Sequence, residues 1–283
     1  LEYKIFIKDS RDMSEIPDNS IHLVITSPMY YGAPAWTEFI KKYSLEKEDK
    51  KEEFKIFHKY LYPVWEESYR VLVPGGKLVI NVMDIDGKAD LYGRWMNSTE
   101  ITVKCQDIGF VVREDIIWMK FLQHKSPCGS YPKPFGVVWT NLYEHNLVFQ
   151  KIGSRDYSNM DPEIKKESLL GKREWEWLRE NFWKMQSASA KREQHVAPFP
   201  LELPKRFIKL LTYKNDIVLD PFLGSGTTML AARQLRRNCV GYEINNSYLP
   251  IILEKTGSKQ RLFGVNEADT FLVYNNGIKK WSV

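Results

Sequence analysis

The sequence predicts an α/β protein built on a doubly wound, mostly parallel sheet. Three observations carry that expectation. Short apolar runs rich in β-branched residues alternate with longer segments of helical spacing. The run Ile217-Val218-Leu219 ends in Asp220 and passes through Gly224-Ser225-Gly226 toward a helical stretch, the pattern of a strand, a glycine turn and a helix N-terminus. A length of 283 residues, 43% of them hydrophobic, suffices for one large core with an insertion.

The elements follow in order. Residues 3–7 alternate as a first strand, and Asp9 to Ser20 is polar with a Pro-Asp-Asn-Ser turn leading into a second strand at 21–25. That strand stops at Thr26-Ser27-Pro28-Met29-Tyr30-Tyr31-Gly32. Proline is a sufficient breaker, yet a plain loop has no need of a small hydroxyl, a proline and an aromatic side by side. Residues 37–72 have helical spacing, with Phe57, Tyr60, Leu61, Trp65 and Tyr69 on one face and the charged run 45–54 as a solvated surface. Pro74-Gly75-Gly76 is a tight turn before a strand at 77–82. A helix over 94–108 ends at Gly109. Strand character returns over 110–119 and, beyond a proline-rich loop at 126–134, over 141–150.

Residues 151–196 break the rhythm. They hold ten Lys/Arg, eight Asp/Glu and three tryptophans with no period-two pattern, and read as a surface-exposed insert outside the sheet. A helix at 203–211, a strand at 216–219, a loop and helix at 224–235 and a strand at 239–243 restore the alternation.

Composition narrows the function classes. No apolar run approaches the roughly 20 residues of a membrane span, and no signal-peptide pattern is present. The chain begins at Leu1, so its natural start is expected further upstream. Three scattered cysteines without a CxxC pair argue against a disulfide frame or a zinc site and fit a cytoplasmic protein with no bound metal. A net charge of +5 permits a polyanionic partner without requiring one.

The glycine loop is the sharpest signal. Its glycines let backbone approach a ligand, and the helix behind them offers free N–H groups. A phosphate-binding P-loop would need lysine where Thr227 stands, and a dinucleotide fingerprint would need a third glycine. An aspartate ahead of the glycines suits a ligand carrying an amino group, such as the amino-acid end of S-adenosylmethionine. Glu243, closing the next strand, is placed to accept from ribose hydroxyls.

Together these stretches resemble the amino-methylating DNA methyltransferases of the beta class over nearly the whole chain. The order matches: Ser27-Pro28-Met29-Tyr30 as the catalytic tetrapeptide, then 151–196 for target recognition, then Asp220 to Thr228 for the cofactor. Lys8-Asp9, Ile16 to Ser20, Val73-Pro74-Gly75-Gly76, Glu144-His145 before Leu147-Val148-Phe149, and His195 to Pro200 add to it. One departure is Met29, where the family has a second proline.

The resemblance implies a Rossmann-like fold with permuted motif order: a catalytic half at 1–150, the insert at 151–196 and a cofactor half at 197–283. It implies S-adenosylmethionine as cofactor and double-stranded DNA as partner, with a restriction endonuclease acting separately. Asp220, Phe222, Gly224, Ser225, Gly226 and Thr227 would line the methionine end, Glu243 the ribose and Asp9 the adenine, with Phe199 beside them. Asp9 could instead cap the turn before Met13, Phe199 could be core, and Glu243 a surface carboxylate. His195 is assigned no chemistry.

In such an enzyme Ser27 Oγ and the Pro28 carbonyl accept the two N–H bonds of the target amine, and Tyr30 stacks on the flipped base. Serine at the first position accompanies N4-cytosine methylation in the family, while Asp or Asn accompanies N6-adenine, so N4-cytosine is expected and N6-adenine is the alternative. A DNA-binding protein whose catalysis is lost through Met29 is a further reading. Methylation at cytosine C5 would need a cysteine nucleophile, and Cys128 lacks the flanking pattern. In the insert, Lys165, Lys166, Lys172, Arg173, Arg179, Lys184, Lys191 and Arg192 are candidate phosphate contacts, against the plainer view of a charged surface over inward-packed Trp175, Trp177 and Trp183.

Overall fold

The computed structural model describes residues 1–32, 39–86, 93–121, 139, 141–187, 199–258, 269–275 and 278–282. Expectations for Cys128, His195, Lys191, Arg192 and the loop at 126–134 lie outside the described residues. The strands are β1 (Glu2–Ile7), β2 (Ile21–Thr26), β3 (Leu72–Val82), β4 (Ile85–Asp86), β5 (Arg94–Trp95), β6 (Val111–Lys120), β7 (Tyr143–Gln150), β8 (Phe182–Met185), β9 (Ile217–Asp220), β10 (Asn238–Tyr242), β11 (Thr270–Asn275) and β12 (Ile278–Ser282). All but the β4–β5 pair form one ten-stranded sheet in the order β12-β11-β1-β10-β9-β2-β3-β7-β6-β8. Its centre, β11 through β3, is wholly parallel, and β7 runs antiparallel to both β3 and β6. The expected doubly wound, mostly parallel sheet is present.

Helices cover both faces. On one side α1 (Lys50–Val71) and α2 (Asn97–Ile108) bury Phe57, Leu61, Val64, Trp65, Ile101 and Cys105 against β2, β3 and β10. Each large side chain fully buried there contributes about 1.5–3 kcal/mol. Gly109 ends α2 in the left-handed conformation (φ +113°), as the sequence predicts. Two short helices, α3 (Pro162–Glu167) and α4 (Lys172–Leu178), lie in the charged segment. On the other face α5 (Glu202–Leu211), α6 (Thr227–Gln234) and α7 (Leu249–Thr256) bury Leu203, Phe207, Met229, Ala231 and Ile252. Among the described residues no helix is long and apolar enough to cross a membrane.

Four expectations change. The helix expected over 37–72 starts only at Lys50: a helical turn at 39–42 breaks at Ser44 (φ +53°), and Asp49 caps the new start by accepting from Lys51 N at 2.8 Å. Within the run expected to be solvated, Glu53 is buried, holding Tyr31 Oη, Lys47 N and Lys50 Nζ. The segment 151–196 is not wholly outside the sheet. Phe182–Met185 pairs parallel to β6 at the edge, and Trp183 is fully buried against Phe207 with ring centroids 4.8 Å apart. Four residues are too few for a period-two signal. Trp175 and Trp177, expected to pack inward, are about half exposed, because α4 lays only Leu178 into the interior.

Candidate active site

Direction changes in the chain locate the crevice. From β2 the chain steps outward to β3, whereas from β9 it steps the other way to β10. In an open α/β sheet such a switch point leaves a crevice beyond the carboxyl ends of the two strands. The tetrapeptide follows β2 and the glycine loop follows β9, and these strands are direct neighbours, Leu23 opposite Val218 and Val24 opposite Leu219. Thr26 Oγ1 closes the join by donating to Asp220 Oδ1 at 2.6 Å, across 194 residues of sequence.

Asp220 is 1% exposed. Its carboxylate also accepts from Phe222 N at 3.0 Å and Thr228 Oγ1 at 2.6 Å. Burial pushes the group up to about 6 against the pull of these donors. With both oxygens engaged beneath the loop, Asp220 organises the turn, and Oδ2, accepting only from Thr228, keeps a lone pair for a further donor. Gly224 and Gly226 hold φ of +51° and +85°, which only glycine adopts without strain. A Cβ on Gly226 would lie 3.2 Å from Ile252 Cγ2. Ser225 and Thr227 both accept from Lys255 Nζ of α7, at 2.9 and 2.7 Å.

Glu243 closes β10 as expected, and its carboxylate reaches back to the loop. One oxygen accepts from Gly224 N and the other from Asn245 N, both at 2.8 Å. Burial lifts it to about 7, offset by those backbone donors. Each oxygen keeps a lone pair for a further donor. Asp9 stands at the end of β1, beside β10, and binds Arg11 through N, Nε and Nη2 at 2.8 to 3.0 Å. Its local turn is therefore real, and Arg11 stacks on Tyr60 at 3.7 Å. Phe222 leans toward Trp65 on one face of the sheet, whereas Phe199 packs into the cluster on the other.

The tetrapeptide sits on a polar network that sequence reasoning missed. Ser27 Oγ lies 2.7 Å from Tyr30 Oη, and both hydroxyls reach Asn81 Oδ1 at 3.3 and 3.2 Å. Tyr30 Oη also donates to Glu144 Oε2 at 3.2 Å, and Lys120 Nζ pairs with Glu144 Oε1. Backbone carbonyls set the polarity of this network. Asn146 Nδ2 must donate to Ile116 O (2.9 Å), so its Oδ1 accepts from Asn81 Nδ2 (3.2 Å), which turns Asn81 Oδ1 toward the hydroxyls. Tyr30 is only 9% exposed and belongs to the core cluster, and Met29 packs against the same cluster. A polar residue inside the apolar run Leu78 to Val82, and the Glu144-His145 pair ahead of Leu147-Val148-Phe149, were the legible traces of Asn81 and Glu144.

Below the network, His145 stands between Asp115 Oδ2 (2.8 Å) and Asp84 Oδ2 (3.5 Å). Burial opposes its charge, but the two carboxylates prevail and raise it to about 9. Ser98 N and Oγ hold Asp84 in turn, each at 2.8 Å.

Residues 155–177 are tied to the sheet and to α5 by side-chain contacts. Arg155 makes a two-pronged pair with Asp216 at 2.6 Å, Arg206 of α5 stacks on Trp177 at 3.9 Å, and Lys209 meets Glu174 at 2.6 Å. Of the expected phosphate contacts, Lys166, Lys172, Arg173, Arg179 and Lys184 are exposed, while Lys165 is half-buried and donates to Tyr157 O at 2.9 Å.

A Rossmann-like sheet with a glycine loop at its switch point defines the class: an α/β protein whose crevice lies beyond the carboxyl ends of its central parallel strands. The chain belongs to the DNA methylase family of N6/N4 methyltransferases, which matches residues 21–254, and is a DNA methyltransferase of that amino class. It is 38% identical to the type II methyltransferase M.MjaI of Methanocaldococcus jannaschii, over 93% of this chain and 94% of that protein. It is 30% identical to M.MthZI of Methanothermobacter thermautotrophicus, covering 97% and 84% respectively. Among solved structures, a Thermus thermophilus protein complexed with S-adenosyl-L-methionine superposes with a TM-score of 0.74 at 28% identity, over 95% of this chain and 99% of that one.

Proposed function

We propose that the protein transfers a methyl group from S-adenosylmethionine to the exocyclic N4 amino group of cytosine in a specific sequence of duplex DNA. The observation that carries this reading is the Thr26–Asp220 bond, which brings the ends of β2 and β9 together. The residues present fit the cofactor. The left-handed glycines leave a backbone cradle, and Glu243 offers lone pairs for ribose hydroxyls at the end of the neighbouring strand. S-adenosylmethionine supplies an electrophilic methyl on a sulfonium. Gly224 to Thr227 hold its amino-acid end, Glu243 its ribose and Asp9 its adenine, with Phe222 and Phe199 packing from the two sides.

The amino nitrogen of cytosine is a poor nucleophile, because its lone pair is delocalised into the ring. Ser27 Oγ and the Pro28 carbonyl accept its two N–H bonds, which favours a pyramidal nitrogen and stabilises the charge developing there. Ser27 can do so because its own proton is directed to Tyr30 or Asn81, leaving its lone pairs available. Tyr30, tethered through its hydroxyl, flanks the base once it is flipped out of the duplex and fixes the line of attack. The exposed cations of segment 151–196 hold phosphates, and this segment reads the sequence. A restriction endonuclease of the same specificity, acting separately in the cytoplasm, completes the system, in keeping with the type II relatives.

Mass analysis of nucleosides from DNA methylated by the protein tests the reading. N4-methylcytosine is expected. N6-methyladenine alone overturns the choice of base, and unmodified DNA overturns the activity.

A further inference from the structure

We propose that Glu144, braced by Lys120, receives the proton shed by the target amino group through Tyr30 and Ser27. The inference rests on the methyl transfer proposed at Ser27–Tyr30 and names where its proton goes. Glu144 is 6% exposed at the carboxyl edge of the sheet, and its side chain bridges the tetrapeptide and β6. A buried ion pair is seldom a device for stability, since removing two charges from water offsets most of their attraction. This pair ends a continuous chain of donors. Ser27 Oγ lies 2.7 Å from Tyr30 Oη, Tyr30 Oη donates to Glu144 Oε2 at 3.2 Å, and Glu144 Oε1 meets Lys120 Nζ. Asn81 Oδ1, aimed by Asn146, lies 3.3 Å from Ser27 Oγ and 3.2 Å from Tyr30 Oη, an alternative acceptor for either proton when the relay is at rest. Asn81 and Lys120 are positioning residues.

The step balances. A bond forms between the amino nitrogen and the methyl carbon as the carbon–sulfur bond breaks, its electron pair returning to sulfur. The nitrogen then carries one proton too many. That proton passes to Ser27 Oγ as the Ser27 proton moves to Tyr30 Oη and the Tyr30 proton to Glu144 Oε2. The carboxylate becomes a neutral acid, and it later releases the proton to water past Lys120, whose side chain is partly exposed. Among the described residues, the ionisable groups in contact with Glu144 are Tyr30 and Lys120; β3 presents the neutral Asn81. The charged His145 follows on β7, where alternation turns its side chain to the other face, toward Asp115 and Asp84.

Single-turnover methyl transfer tests the assignment. E144Q keeps the shape without the basic site. It should slow transfer on the order of 100-fold and leave cofactor affinity unchanged, and E144D, which keeps a carboxylate, should recover part of the loss. A wild-type rate in E144Q, or an E144D as slow as E144Q, overturns the proposal. Should E144Q fail to fold, K120M decides: it should slow transfer without weakening cofactor binding, and a wild-type rate overturns the proposal. A wild type that methylates no DNA overturns instead the functional reading, and with it the step built on that reading.

Discussion

Glu243 and Asp220 give the site two pH responses of opposite sign. Burial raises both carboxyls, to about 7 and about 6, so the fold favours their protonated forms more than the unfolded chain does. Their contribution to stability is therefore whole below the ordinary values of 4.5 and 3.8 and is lost as pH rises through about 6 to 7. Binding runs the other way, because a ribose hydroxyl donates better to an ionised Glu243. The melting temperature of the free protein should fall between pH 5 and 8 while cofactor affinity, measured by calorimetry, rises. E243Q should flatten the affinity trend and weaken binding by about 1.5–3 kcal/mol, the worth of a hydrogen bond to a charged group. S27A tests the other half of the site. It should cost about 10²–10³ in the rate of methyl transfer, by analogy with the loss of one transition-state hydrogen bond, and leave cofactor binding intact.

Between elements, the glycine loop depends on a close approach that its own sequence does not advertise. Gly241 on β10 lets Leu223 lie where a side chain would be: a Cβ there would stand 2.6 Å from Leu223 Cδ2, and Leu223 N donates to Tyr242 O at 2.9 Å. G241A should destabilise the protein by about 1–3 kcal/mol in a denaturant melt and weaken cofactor binding as the loop lifts. R155A breaks the pair that fastens the charged segment to Asp216, at about 3 kcal/mol. Legibility varied in the same physical way. Strands 217–220 and 238–242 and the caps at Gly109 and Gly226 could be read because apolar runs and glycine turns are local signals. The edge strand at 182–185 could not, since four residues beside an aromatic helix carry no period. Asn81 was visible only as a polar break in an apolar strand and Glu144 only as part of the Glu144-His145 pair; that they meet Tyr30 depends on β7 pairing antiparallel with β3, which no local pattern encodes.

At the scale of the whole molecule, His145 adds a third titration. Held charged up to about 9 by Asp115 and Asp84, it contributes stability that is complete below its ordinary 6.5 and is lost as pH rises through about 9. H145Q should remove the decline in melting temperature expected between about pH 6.5 and 9. The strand order has a consequence for biosynthesis. β1 and β2 precede the other described strands, yet they are separated in the finished sheet by β10 and β9, which follow only after residue 216. A nascent chain emerging from the ribosome thus carries two hydrophobic strands with a vacant slot between them, an open template for mispairing. Residues 1–187 expressed alone should associate or aggregate, as light scattering would show. Synthesis must pass residue 242 before that slot can be filled, so a chain terminated earlier lacks the two strands that join the ends of β1 and β2 into one crevice.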